Sequence, residues 1–103
     1  MKYIVDTNIL IDHLRGDREA TSFLLEVENG KKQAAISVIT EYEILVGIEA
    51  SGNQERIFSL LKMLPVLTIT SRIVHRAAYF RRIYKTDIVD SLIAATAYNT
   101  KAI

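Results

Sequence analysis

Three acidic residues of this chain stand where parallel α/β proteins commonly carry chemistry. Asp6 follows the apolar run Tyr3-Ile4-Val5, Glu43 lies in about the first turn of the helix predicted after a second strand, and Asp90 starts the last predicted helix. Carboxylates grouped without arginine partners repel one another unless they are protonated or a cation bridges them. Oxygen ligands of this kind favour Mg²⁺ or Mn²⁺, and such an ion suits phosphodiester hydrolysis. We therefore predict Asp6, Glu43 and Asp90 as metal ligands and catalytic residues.

Each of these carboxylates also has a local interpretation. Asp6 could close an Asx-turn at the end of its strand. Glu43 could be the second member of a capping box that begins at Thr40. Asp90 could be a first-turn acid that the helix dipole favours. Asp87, one turn earlier, is a weaker ligand candidate, because an N-cap role explains it better.

Other catalytic groups are sparse in the sequence. His13 and His75 stand alone on predicted helices among charged residues, which indicates surface positions. The four glycines fit neither a Walker loop nor a dinucleotide fingerprint, so we predict no cofactor-binding residues besides the metal ligands. One long predicted helix carries five basic residues that could contact a phosphate backbone or simply form a solvated face: Arg72, Arg76, Arg81, Arg82 and Lys85.

Composition places the chain among small globular proteins. Its 103 residues predict one domain, and the 50% that are apolar suffice for a core. The absence of cysteine excludes disulfides and thiolate chemistry. A net charge of +1 gives no global argument for nucleic-acid binding, so any such surface must be local. The N-terminus does not read as a signal peptide and no apolar stretch is long enough to span a membrane, so we expect a soluble, cytoplasmic protein.

Predicted strands alternate with predicted helices along the chain. The strands are Tyr3–Val5, Ala34–Ile36 with an exit at Ser37–Ile39, and Val66–Ile69 after the only proline. Helices are predicted from Asn8, after caps at Asp17, Thr40 and Ser71, over Gln54–Met63, and from about Asp87, with breaks at Gly16, Gly30 and Ser51-Gly52-Asn53. This alternation predicts a parallel sheet covered by helices on both faces, a three-layer α/β/α sandwich. Because parallel strands end at one edge, the three carboxylates should face a common point.

Three stretches of the sequence together resemble the motifs of PIN domains, specifically those of the VapC-type toxins of toxin–antitoxin pairs. They are the opening Tyr3–Ile11, the segment Ser37–Gly47 that contains Glu43, and Asp90–Ala97. The resemblance implies a metal-dependent endoribonuclease in which Asp6, Glu43 and Asp90 hold Mg²⁺ or Mn²⁺. It also implies that Thr7 and Asn8 shape the loop beside the metal, where RNA would bind. The partners it implies are an RNA substrate, a second copy of the chain and a cognate antitoxin.

The sequence departs from this family after its third motif. VapC-type PIN domains continue into a fourth and a fifth strand with a further acidic residue, and Lys101-Ala102-Ile103 is similar only to the entrance of that fourth strand. Residues 1–103 should therefore form a single PIN-like domain that lacks the last strands. Strand one would then lie at an edge, where a partner chain could pair with it. Metal affinity would be reduced, unless Asp87 partly replaces the missing acid.

Three other classes of protein can be weighed against this interpretation. A degenerate PIN remnant that only dimerises or binds an antitoxin would show the same motifs, and metal-dependent RNA cleavage separates it from an enzyme. Phosphoryl-transfer enzymes of the haloacid dehalogenase type also place an aspartate after an apolar strand. They carry a second aspartate two positions on, where this chain has Asn8. A response-regulator receiver fits less well, since its phosphoacceptor ends a later strand.

Overall fold

A computed structural model describes residues 2–47 and 54–100 of the protein. Its elements, in chain order, are β1 (Lys2–Ile4), α1 (Thr7–Leu14), α2 (Arg18–Glu28), β2 (Gln33–Ser37), α3 (Val38–Val46), α4 (Gln54–Met63), β3 (Val66–Leu67), α5 (Ser71–Tyr84) and α6 (Ile88–Asn99). The predicted break at Ser51-Gly52-Asn53 and the predicted strand entrance at Lys101-Ala102-Ile103 lie outside the described residues.

The three strands form one parallel sheet in the order β1-β2-β3. Tyr3 lies opposite Ala34 in the first pairing, and Ile36 lies opposite Val66 in the second. The prediction of a parallel sheet is therefore confirmed. Among the described strands β2 is central and β1 lies at an edge, which agrees with the position expected for strand one.

Helices cover both faces of the central strand. Ala34 and Ile36 join a buried cluster with residues of β1, α1, α2, α3 and α4. Ala35 and Ser37 point to the opposite face, because side chains alternate along a strand, and both are 0% exposed. A second buried cluster joins α5 and α6, and α6 also packs against β1 and α3. This arrangement confirms the predicted three-layer sandwich.

The start of α3 differs from the prediction. Val38 and Ile39 belong to the helix and not to a strand exit, because the Ser37 hydroxyl accepts a hydrogen bond from the Ile39 amide at 3.1 Å and caps the helix directly after β2. The predicted capping box of Thr40 and Glu43 is therefore wrong. Thr40 is a fully buried residue within the helix, and Glu43 lies in its second turn.

Other predicted boundaries shift by one or two residues. The strand β1 begins and ends one residue earlier than predicted, although the Val5 amide still donates to the Ala35 carbonyl at 2.9 Å. The cap of α5 is Thr70 and not Ser71, because the Thr70 hydroxyl accepts from the Ile73 amide. Strand β3 stops at Leu67, two residues before the predicted end. Differences of one or two residues at the ends of elements are common.

Several predicted helix boundaries are confirmed. Asp17 caps α2 through a 2.9 Å hydrogen bond from the Ala20 amide. Gly16 and Gly30 follow α1 and α2 with φ of +91° and +78°, the left-handed conformation that commonly ends helices at glycine. None of the helices in residues 2–47 and 54–100 is long and apolar enough to cross a membrane.

His13 is partly exposed and partly buried, whereas the sequence indicates a surface position. Its ring lies between α1 and α2, where Nδ1 is 2.9 Å from the Thr21 hydroxyl, and the Arg56 guanidinium donates to the His13 and Leu14 carbonyls. Burial, and then the charge of Arg56, lower the pKa of His13 below its usual value of 6.5. The folded protein therefore favours the neutral imidazole. His75, by contrast, is exposed as predicted.

The lowered pKa of His13 predicts a loss of stability in acid. At a pH between the pKa of His13 in the folded protein and its higher pKa in the unfolded chain, the unfolded chain binds more protons. The free energy of unfolding therefore falls as the pH drops through 6.5 toward the folded pKa. We expect His13→Gln to lose less stability than the wild type when the pH is lowered from about 7.5 to about 5.5. Glutamine stays neutral over this range, which spans the pKa of a free imidazole. Urea unfolding at both pH values measures this, with His75→Gln as control. Equal pH dependence of His13→Gln and wild type would contradict it.

Candidate active site

Asp6 lies between β1 and α1 and has a defined local role. Its Oδ1 accepts a hydrogen bond from the Ile9 amide at 3.1 Å, so Asp6 is the N-cap of α1. The side chain is exposed. The carboxylate thus stands at the carboxyl end of β1, at the edge of the sheet where open α/β proteins bind ligands. Capping uses one carboxylate oxygen, so the local role and a ligand role are compatible.

Thr7 connects this loop to the second carboxylate. Its hydroxyl donates to Glu43 Oε1 at 2.5 Å and lies 3.4 Å from the hydroxyl of Thr40. Glu43 and Thr40 are both on α3, which packs against α1. The residue next to Asp6 therefore fixes the position of Glu43. The sequence predicted Asp6, Thr7 and Glu43 at this site, but it missed Thr40, which it assigned to a helix cap.

The third carboxylate is on the first turn of α6. Asp87 caps this helix, since its Oδ1 accepts from the Asp90 amide at 2.8 Å, and the capping interpretation of Asp87 is therefore confirmed. Asp90 is exposed. Helix α6 packs against β1 and α3, the elements that carry or adjoin Asp6 and Glu43. The fold thus brings the three predicted elements into contact with one another.

The carboxylates themselves do not converge into a closed cluster. Over residues 2–47 and 54–100, no three acidic or histidine side chains are grouped closely enough to hold a metal ion among them. This arrangement still fits Mg²⁺, which usually binds one or two carboxylates directly and keeps several waters. The available donors are carboxylate and hydroxyl oxygens, the ligands that hard cations prefer. The assignment of Asp6, Glu43 and Asp90 as metal ligands stays a prediction.

Comparison with known proteins identifies the family. The sequence matches the PIN domain family over residues 3–103. It is 37% identical over 101 residues to Ribonuclease VapC19 of Mycobacterium tuberculosis (strain CDC 1551 / Oshkosh), an alignment that covers 91% of this chain and 78% of that protein. It is 33% identical over 99 residues to Ribonuclease VapC10 of the same strain, covering 91% and 73%.

Two solved structures have the same fold. A toxin–antitoxin complex from Klebsiella pneumoniae contains a chain that is 35% identical, with a TM-score of 0.85 over 97% of this chain and 81% of that one. The crystal structure of VapBC2 from Rickettsia felis bound to a DNA fragment from their promoter superposes with a TM-score of 0.78 over 99% of this chain and 84% of that chain. At 23% identity the second similarity supports the fold alone. The chain belongs to the PIN domain family.

Proposed function

We propose that this protein is a metal-dependent endoribonuclease and the toxin of a type II toxin–antitoxin pair. The observation that carries the proposal is the hydrogen bond from Thr7 to Glu43, which joins two of the predicted metal-site elements in a chain with ribonuclease relatives. RNA substrates imply a cytoplasmic location. We also propose that residues 1–103 act as a single domain.

The proposed cofactor is Mg²⁺ or Mn²⁺, held by Asp6, Glu43 and Asp90, with Asp87 as a weaker candidate. A bound ion would polarise the phosphate, orient a water molecule and lower its pKa. The exposed carboxylates of Asp6 and Asp90 are open to solvent and substrate, whereas Glu43 is partly buried and held by Thr7. Asp87 caps α6 through one carboxylate oxygen, as Asp6 caps α1, so capping alone does not exclude it. It stays the weaker candidate because the motif that resembles the family's third motif begins at Asp90.

In the proposed reaction, a water oxygen bonds to the phosphorus of an RNA phosphodiester while the bond from phosphorus to O3′ breaks. The products would carry 5′-phosphate and 3′-hydroxyl ends, because the attacking water gives up a proton to solvent and the released O3′ takes one up. Asp6 and Glu43 would act on the reacting phosphate only through the cation that they hold, because the carboxylates alone repel it. Thr7 and the exposed Asn8, both at the start of α1, would contact the RNA backbone next to the cut.

Two protein partners belong to this proposal. One is a cognate antitoxin, which the toxin–antitoxin complex found among the structural neighbours supports. The other is a second copy of the chain. Among the described strands β1 lies at an edge, and an edge strand presents unpaired backbone groups to another chain, which supports a homodimer.

A cleavage assay tests the proposed activity. The purified protein should cut single-stranded RNA in Mg²⁺ or Mn²⁺ and stop on addition of EDTA, and the new ends should be 5′-phosphate and 3′-hydroxyl. A protein that binds RNA or an antitoxin but releases no fragments in either metal would instead be the non-catalytic module. Fragments that form equally well in EDTA would exclude metal dependence.

A further inference from the structure

A groove between α5 and α6 has a composition that the carboxylate site does not explain. It encloses a cavity of about 810 Å³ lined by Ser71, Arg72, His75, Arg76, Tyr79, Tyr98 and Asn99. The lining combines two guanidinium groups with two tyrosine rings, and no Asp or Glu within residues 2–47 and 54–100 belongs to it. We infer that this groove is a binding site for single-stranded RNA, separate from the carboxylates. The inference deepens the proposed function and rests on it for the identity of the ligand.

The arginine at the centre of the groove is held by aromatic rings. The Arg76 guanidinium lies 4.3 Å from the centroid of the Tyr98 ring and 5.7 Å from that of Tyr79. Such cation–π contacts fix a guanidinium without using its outward N–H donors. In residues 2–47 and 54–100, neither Arg72 nor Arg76 forms a salt bridge. Both guanidinium groups are therefore available for a phosphate.

Charge is concentrated on the helix that forms one wall. Helix α5 contains four arginines and no acidic residue, although the whole chain has a net charge of only +1. The remaining residues are therefore net acidic, and α5 is the natural place for a polyanion to bind. Arg72 and Arg76 line the groove, whereas Arg81 and Arg82 lie outside it. Within this inference, only the first two of these arginines contact the phosphate backbone.

The two tyrosines of the groove are both exposed and favour single strands over duplexes. Tyr79 is 43% exposed, so its ring can stack on an unpaired base while Arg72 and Arg76 bind the adjoining phosphate. Bases in a duplex are already stacked and cannot reach a side chain in this way. Tyr98 follows Asp90 by eight residues on α6, about 12 Å along the helix axis. A few nucleotides span that distance, so one strand could occupy both places.

Matched substitutions on α5 test the groove. Binding of a fluorescent 12-nucleotide single-stranded RNA is measured in EDTA, where the proposed cleavage does not interfere. We expect Tyr79→Leu to weaken binding about tenfold, from loss of one stacked base. We expect Arg76→Gln to weaken binding and to reduce the slope of log affinity against log salt by about 0.7. The controls Tyr84→Leu and Arg82→Gln make the same changes on the same helix outside the groove, and each should change affinity less than about twofold.

Each outcome separates the groove from the proposed function. Equal losses of RNA affinity in Arg76→Gln and Arg82→Gln would show that the charge of the whole helix binds the RNA. This result would overturn the inference that the groove is the binding site. Wild-type RNA affinity in Tyr79→Leu would also overturn the inference. If that variant bound RNA normally but sedimented differently from the wild type, the groove would instead be a protein interface. If groove variants alone lose RNA binding but the wild type never cleaves RNA, the groove stands and the proposed activity fails. If cleavage needs Asp6 but the groove variants bind normally, only the groove inference fails.

Discussion

Replacing Asp6 with asparagine should reduce RNA cleavage about a thousandfold while the protein remains folded, because the loss of a direct metal ligand removes several kcal/mol of transition-state stabilisation. The fold should survive because asparagine is as good an N-cap as aspartate. Its side-chain carbonyl can still accept the hydrogen bond that Asp6 now takes from the Ile9 amide. The measurement is the cleavage rate at saturating Mg²⁺, with the melting temperature of each protein recorded alongside.

The chain contains a matched control for this variant. Asp17 is also an exposed N-cap aspartate, and its Oδ2 accepts from the Ala20 amide as Asp6 accepts from Ile9. Asp17→Asn therefore makes the same change of charge and the same change of cap, on α2. It should cleave RNA at the wild-type rate. If Asp6→Asn kept wild-type activity, or if Asp17→Asn lost as much, the assignment of Asp6 as a metal ligand would be wrong.

Thr7→Val should lower cleavage about ten- to a hundredfold, the usual cost of removing a group that orients a metal ligand. Valine has nearly the shape of threonine but cannot donate the hydrogen bond that now holds Glu43. Glu43 would then sample other rotamers and bind the ion less tightly. The loss should appear mainly as a higher Mg²⁺ concentration for half-maximal rate, and added Mg²⁺ should partly restore cleavage.

Serine at the same position distinguishes positioning from packing. Thr7→Ser keeps the hydroxyl that donates to Glu43 but loses the methyl group, so it should retain most of the activity and the wild-type Mg²⁺ dependence. A purely structural role for Thr7 predicts that the Mg²⁺ dependence of both variants matches the wild type and that only their melting temperatures fall. That result would show that Thr7 does not position a metal ligand.

Much of the fold could be predicted because its signals are local. The order of strands and helices follows from short apolar runs and from breaks such as Gly16 and Gly30, and parallel pairing follows from alternation of strands with helices. Boundaries failed where neighbouring residues compete for the same role. Ser37 and Thr40 are both plausible caps, and only the packing of α3 decides that Thr40 is buried and Ser37 caps.

The acidic residues of the candidate site could be predicted from the sequence, but the contacts between its side chains could not. Asp6 and Asp90 are recognisable from their places beside predicted element ends. The contact from Thr7 to Glu43 joins residues 36 positions apart, which no local pattern specifies. The groove was missed for the same reason, since Arg76 and Tyr98 meet only when α5 packs on α6. The spacing of Arg76 and Tyr79, three residues apart on one helix face, was the available signal.

Titration with Mn²⁺ tests most directly whether Asp6, Glu43 and Asp90 form one cation site. Calorimetry should show that the wild type and Asp17→Asn bind Mn²⁺ alike, at one site. The variants Asp6→Asn, Glu43→Gln and Asp90→Asn should each weaken that binding about tenfold or more, since each removes one ligand. Wild-type affinity in all three variants would contradict the proposed metal site.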